Sequence, residues 1–173
     1  MIFDPSDEGG AHALERLSKD MIGWLTTVTP GGQPQTMPVW FLWTDVNEVL
    51  VYGDHKAKRN ANIAANPKVA FHLNDNGKGG DVVVIQGEAR IDPDHPQVGD
   101  NPGYLAKYGE WIDLYLDGPS GMGQVYNMPI RITPTRGLAF GGEGRGASAS
   151  IRPPRPPTPR SPTLDRPCHG RSS

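Results

Sequence analysis

The sequence predicts a mainly β fold, a small antiparallel β-barrel with a few short helices and a disordered carboxy-terminal tail. Three observations carry that expectation. About six short runs rich in β-branched and aromatic residues are joined by hairpin-type turn signals. One alanine-rich helical segment interrupts them after the third run. The composition then changes character after Arg136.

Taken in order, residues 11–19 place Leu14 and Leu17 on one helical face and read as a first helix. Residues 22–29 (IGWLTTVT) read as a strand, and Pro30-Gly31-Gly32 as a turn. Residues 35–43 (QTMPVWFLW) resume as one strand, with an edge or a gap at Pro38, which has no N–H to donate. After a turn at 45–48, residues 49–53 form the third strand. Residues 56–65 carry helix-forming alanines at 57, 61, 64 and 65, and Asn66-Pro67 ends that helix. A strand at 69–73, a polar loop at 74–81 and a long strand at 82–91 follow. Gly87 inside the long strand predicts a bulge. Residues 104–116 are the best helical piece of a mixed segment, and 129–135 a closing strand. Gly118, Gly121 and Gly123 follow a helix rather than a strand, so they do not read as a phosphate loop.

Two materials divide the chain at 136. Up to that point 11 Lys and Arg face 17 Asp and Glu, an acidic balance typical of a globular domain and no footprint for nucleic acid. Residues 137–173 hold seven Pro, six Gly and six Arg but four large apolar residues, too few to offset the entropy of ordering. The expectation is a barrel domain over 1–136 and a disordered, partly polyproline-II tail over 137–173. No apolar run of membrane-spanning length exists, and the acidic first residues do not resemble a secretory signal. With a single cysteine, Cys168, unable to form an internal disulfide, a reducing cytoplasmic location is expected.

The chemistry-bearing feature is the cation cluster Lys56, Lys58 and Arg59 at the start of the alanine-rich helix. A helix amino terminus already carries unpaired N–H groups and about half a positive charge, so cations there oppose the helix. Two readings fit: solvated surface charges, or a site for a phosphate that accepts from N–H groups and side chains alike. The position directly after an apolar strand favours the second.

Residues 51–73 (VYGDHKAKRNANIAANPKVAFHL) resemble the cofactor-phosphate segment of the pyridoxamine-phosphate-oxidase-like split β-barrel family. The resemblance rests on Tyr52 and Gly53 ending a strand, the pair Lys58-Arg59 after a short gap, and a helix closed by Asn66-Pro67. It extends over about residues 11–136 and implies an FMN-binding-like split β-barrel, working as a homodimer with the cofactor at the interface. Lys58 and Arg59, assisted by Lys56, would then hold the phosphate, with Tyr52 and Gly53 framing it. The backbone of Met37, Pro38, Val39 and Trp40 would face the ring. Pro-Val-Trp-Phe at 38–41, and the loop at 77–81, resemble the actinobacterial branch that uses the deazaflavin coenzyme F420. The FMN oxidases carry a Gln where this chain has Val82, and their cation pair runs Arg-Lys, here Lys58-Arg59. The resemblance therefore implies an F420-dependent reductase passing a hydride to a small conjugated organic substrate, with FMN as the alternative cofactor and a non-catalytic cofactor carrier as the alternative function.

Other residues carry weaker signals. Trp40 reads as a wall of the ring site or as core, and His72 as structural. His55 borders the cation cluster. Tyr104, Tyr108 and Trp111 could line a substrate pocket of the partner chain. Asp92, Asp94 and His95 read as a turn rather than a metal site. No general acid is legible, so no catalytic residue is named. The Arg-Pro tail reads as a passive extension or, alternatively, as a contact for acidic or polyproline-reading partners.

Overall fold

The computed structural model describes residues 1–141. A helix α1 (Glu8–Lys19) is followed by strands β1 (Ile22–Val28), β2 (Pro34–Trp40), β3 (Leu42–Trp43) and β4 (Val49–Gly53). Helix α2 (Lys58–Ala65) then leads to β5 (Lys68–Leu73) and β6 (Val82–Ile91). A 3-10 turn (Val98–Asp100), helices α3 (Pro102–Tyr115) and α4 (Gly118–Val125), and the long β7 (Met128–Phe140) complete the described chain. The strands make one antiparallel seven-stranded sheet in the order β2-β1-β5-β6-β7-β4-β3. It curls into a half-barrel, the split β-barrel that the sequence implied.

Local rules explain most elements. Asp7 caps α1 by accepting from the Gly10 N–H at 3.0 Å. Gly32, at φ +86°, closes the β1–β2 hairpin where the Pro-Gly-Gly signal lies. The expected irregularity at Gly87 is present as a register shift against β7, and a Cβ there would come within 2.7 Å of the Thr133 carbonyl oxygen.

Three expectations change. Residues 35–43 form two strands rather than one. β2 pairs with β1 at one edge of the sheet, and after Phe41 the chain crosses to the other edge, where β3 pairs with β4. Phe41 is fully buried, and its backbone is bonded to the Tyr108 hydroxyl instead of a strand. The Phe41 N–H donates to that oxygen at 2.9 Å, and the hydroxyl lies 2.8 Å from the Phe41 carbonyl and 2.7 Å from that of Met21. The closing strand runs to Phe140, so residues 137–140 join the barrel domain by pairing with the start of β6. The rest of the tail, with Cys168, lies outside the described residues. Finally, Lys56 precedes α2, whose amino-terminal cap is Ala57.

Two cores result. Inside the curl, Phe3 and Leu17 meet Leu25, Phe41, Phe71, Ile85 and Ile132. On the far side of β4, Leu50 and Tyr52 pack against Tyr104, Tyr108 and Ile112 of α3 and Met122 of α4. A half-buried ionic network ties the start of β4 and the end of β6 to β7. Glu48 accepts from Arg131 Nε at 2.7 Å and from Thr133 Oγ1 at 2.7 Å, while Arg131 also reaches Asp92 at 3.0 Å.

Tyr108→Phe should destabilise the protein by about 1–3 kcal/mol, because it strands the buried Phe41 amide. Urea unfolding measures this as a lowered midpoint with an unchanged slope; a loss below about 0.5 kcal/mol would contradict the assigned role. Lys107 yields a pH prediction. Its ammonium sits 4.0 Å from the Phe41 ring centroid, and burial lowers its pKa to about 8, with Asp20 opposing. The unfolded chain keeps that proton up to about 10.5. The native state sheds it earlier, so stability should rise with pH from about 8 toward 10. Lys107→Met should flatten that rise in unfolding titrations.

Candidate functional site

Between β2, the start of α2 and the α3–α4 pair lies a cavity of about 310 Å³. Its sheet side is formed by Ile22, Pro38, Val39 and Trp40, with Tyr52 and Arg59 deeper along β4 and α2. The helices contribute Tyr104, Tyr115, Leu116, Met122 and Tyr126. Trp40 is held flat against Tyr108, with centroids 5.0 Å apart and planes within 1°, and Trp111 tilts against it at 5.5 Å.

Consecutive residues on a helix project about 100° apart, and this separates the cation pair. Lys58, the first residue of α2, is exposed, as is Lys56 just before it. Arg59 turns inward. Its Nε and Nη1 are buried without a hydrogen-bond partner, and among the described residues it forms no ion pair. Burial disfavours its charged form, with Tyr126 and Asp54 pulling the other way. Gly53 makes room: a Cβ there would lie 3.8 Å from Arg59 Nε and 3.1 Å from Ile130 Cδ1.

A second unpaired polar group is buried behind the same lining. Tyr104 is fully buried, and its hydroxyl has no partner. Burial raises its pKa well above the ordinary phenol value, which keeps it a neutral hydrogen-bond donor. The Tyr52 hydroxyl is by contrast satisfied, donating to the Pro96 carbonyl at 2.7 Å and accepting from Asn101 Nδ2 at 3.1 Å.

Of the nine residues expected to hold a cofactor, Pro38, Val39, Trp40, Tyr52 and Arg59 line this cavity. Gly53 lies against Arg59, while Met37 (59 % exposed), Lys56 and Lys58 stand outside. Helix α2 has no side-chain cap, which leaves its first N–H groups open to an external acceptor beside Lys58. Tyr104 contributes from the same chain. Tyr108 is bonded to backbone, His72 stacks on Trp24 across the sheet, and Asp92 pairs with Arg131. Among the described residues, no cluster of three His, Cys, Asp or Glu is arranged to hold a metal. The sequence reading missed α4, whose Met122 and Tyr126 stand four residues apart on the cavity side. That spacing was the available signal.

Comparison with known proteins decides the family. The model of the pyridoxamine 5'-phosphate oxidase family matches residues 11–139. The chain belongs to that family. Among the curated proteins none matches. Solved structures of the same fold include an F420 reductase, 27% identical over 71% of this chain and 93% of that one, with a TM-score of 0.51. An FAD-binding protein from Mesorhizobium loti is 19% identical over 73% of this chain and 90% of its own, with a TM-score of 0.55. The haem storage protein HutZ from Vibrio cholerae is 16% identical over 82% of this chain and 98% of its own, with a TM-score of 0.54.

The unpaired guanidinium makes a prediction of its own. A buried cation without a partner is a cost to the ligand-free fold. Arg59→Met should therefore raise stability by on the order of 1 kcal/mol in urea unfolding; a clear fall would show that the guanidinium is well solvated where it stands.

Proposed function

We propose that the protein is an oxidoreductase that binds a flavin-type cofactor, coenzyme F420 in the first place and FMN as the alternative, and reduces a small conjugated organic substrate. The observation that carries this reading is one cavity joining Pro38, Val39 and Trp40 of β2 to Tyr52 and the unpartnered Arg59. Family membership and the likeness to an F420 reductase support it.

The residues present fit such a group. The uncapped start of α2, with Lys58 on its first turn and Lys56 just before it, offers N–H donors and two exposed cations to a phosphate. β2 is an edge strand, so the outer backbone of Met37–Trp40 is open to hydrogen-bond the rim of a planar ring. Trp40, braced by Tyr108, and Tyr52 supply flat apolar walls that exclude water from the reacting face. Arg59 brings a positive charge toward the same place from within. The bound deazaflavin or flavin supplies hydride chemistry, and the protein contributes orientation and electrostatics.

A homodimer belongs to the same proposal. The outer face of the sheet carries a cross-strand row Pro38–Trp24–His72–Val84–Leu138, with Phe140 beside Val82. Leu138 and Phe140 are 36% and 41% exposed in the single chain, an apolar face that a second copy would cover next to β2.

Titrating the purified full chain with F420, FMN and haemin, followed by tryptophan fluorescence, tests the cofactor. F420 should bind tightest, and Lys56→Ala/Lys58→Ala should weaken it about tenfold or more, as losing charge-assisted phosphate contacts predicts. Tight haemin or FMN binding without F420 binding would overturn the cofactor choice. Unchanged affinity in the double variant would overturn the phosphate site.

A further inference from the structure

The proposed cofactor has two ends, and the chain meets them with different elements. The phosphate end is the start of α2, an eight-residue helix with no side-chain cap. The ring end is the edge strand β2. A helix this short owes its place to tertiary contacts rather than to its own propensity.

Two adjacent residues of α2 are buried, and they act differently. Ile63 enters the core inside the curl. Apolar burial of that kind is non-directional, so it holds the helix down without fixing its rotation. Asn62 supplies the direction. The residue is 4% exposed, and its Nδ2 donates to Thr27 Oγ1 of β1 at 3.0 Å and to Gln35 Oε1 of β2 at 3.2 Å. Both N–H groups of the amide are thereby used. Thr27 and Gln35 stand directly opposite each other in the β1–β2 register, so one side chain bridges a cross-strand pair. Asn60, by contrast, donates to the Asp54 and His55 carbonyls in the loop before the helix. Among the described residues, Asn62 makes the side-chain hydrogen bonds that join α2 to β1 and β2.

The bridge touches both halves of the site. Lys58 precedes Asn62 by four residues, one turn nearer the helix start on the same face, so fixing Asn62 also fixes the direction of Lys58. Gln35 precedes Met37 by two residues on β2, at the beginning of the stretch whose outer backbone is open. A ligand with two recognised ends gains from the second contact only when the two half-sites are held at the matching span.

We infer that Asn62 is a positioning residue: by bridging Thr27 and Gln35 it holds the start of α2 at one distance and rotation from the β2 edge, so that the phosphate and the ring of one cofactor are met together. The nature of the ligand rests on the cofactor reading above, whereas the clamp is a property of the free chain.

Fluorescence titration of the full chain with two ligand pairs tests this: FMN with riboflavin, and F420 with its phosphate-free deazariboflavin core. Asn62→Leu should weaken the phosphorylated member of the bound pair about tenfold. The phosphate-free member should stay within about twofold. Gln35→Leu removes the β2 bond and leaves Thr27 paired; it should give the same pattern at about threefold, and it decides should Asn62→Leu fail to fold. On the Lys56→Ala/Lys58→Ala background, Asn62→Leu should add less than about twofold, because it acts by placing Lys58. Equal weakening of both members, or full additivity on that background, would show a merely structural role and overturn the inference. Without ligand, Asn62→Leu should speed amide hydrogen exchange across α2 and leave β5 and β6 unchanged. Unchanged exchange in α2 would also overturn it. If no member of either pair binds the unaltered chain, the cofactor reading fails, and the exchange experiment still decides the clamp.

Discussion

The Tyr108 hydroxyl is the tie on which the geometry of the site depends. A continuous run of strand-forming residues from 34 to 43 would ordinarily remain on one neighbour. Here the chain lets go of β1 after Trp40 and reaches β4 at Leu42, and the one residue between has its backbone bonded to a side chain of α3. Abandoning a ladder in the interior would leave Phe41 with an orphaned amide and carbonyl. The Tyr108 oxygen accepts from the amide, its single proton is shared between the carbonyls of Phe41 and Met21, and its ring braces Trp40 at the same time. One side chain thus permits the crossing that brings the two edges of the sheet together and sets the wall of the cavity that the crossing creates. Burial pushes the phenol's pKa upward, so the hydroxyl keeps its proton under ordinary conditions.

Much of this was legible in the residues, and what was not has physical reasons. The strands at 22–28, 49–53, 68–73 and 82–91 have period-2 burial or dense apolar runs, and the turns around them carry Gly, Pro, Asn or Asp signals. The break at Phe41 was invisible because its cause is a tertiary bond 67 residues away. The last stretch of β7 falls inside the Pro-, Gly- and Arg-rich composition that predicts a tail from 137; residues 137–140 are strand because the start of β6 offers them a ladder. Helix α4 (GPSGMGQV) holds three glycines and one proline, a composition that argues against helix. Its formation depends on Met122 entering the second core. In the candidate site, residue types were readable before directions were. Lys58 and Arg59 looked like a pair in sequence, and helical rotation makes them neighbours with different surroundings.

The arginines of this chain show two uses of the same side chain. Arg131 is enclosed by Glu48 and Asp92, with burial lowering its pKa and those two carboxylates raising it further. Glu48 in turn is pushed up by burial, but hydrogen bonds from Thr133, Arg131 and Arg90 hold it below the ordinary carboxylate range. That network is closed and joins three strands. Arg59 is the open counterpart: more withdrawn from water than Arg131, near Tyr126 and Asp54, and in no ion pair among the described residues.

A fold that pairs its structural arginines so fully gains nothing in stability from leaving one unpaired, which argues that Arg59 is kept for something it binds. Tyr104 is likewise unpaired, whereas Tyr52 and Tyr108 in the same aromatic cluster each find backbone or side-chain partners within 3.1 Å. Buried donors left open beside one cavity, in a chain whose other buried tyrosines there are satisfied, mark the places where the packing around that cavity stays unpaired.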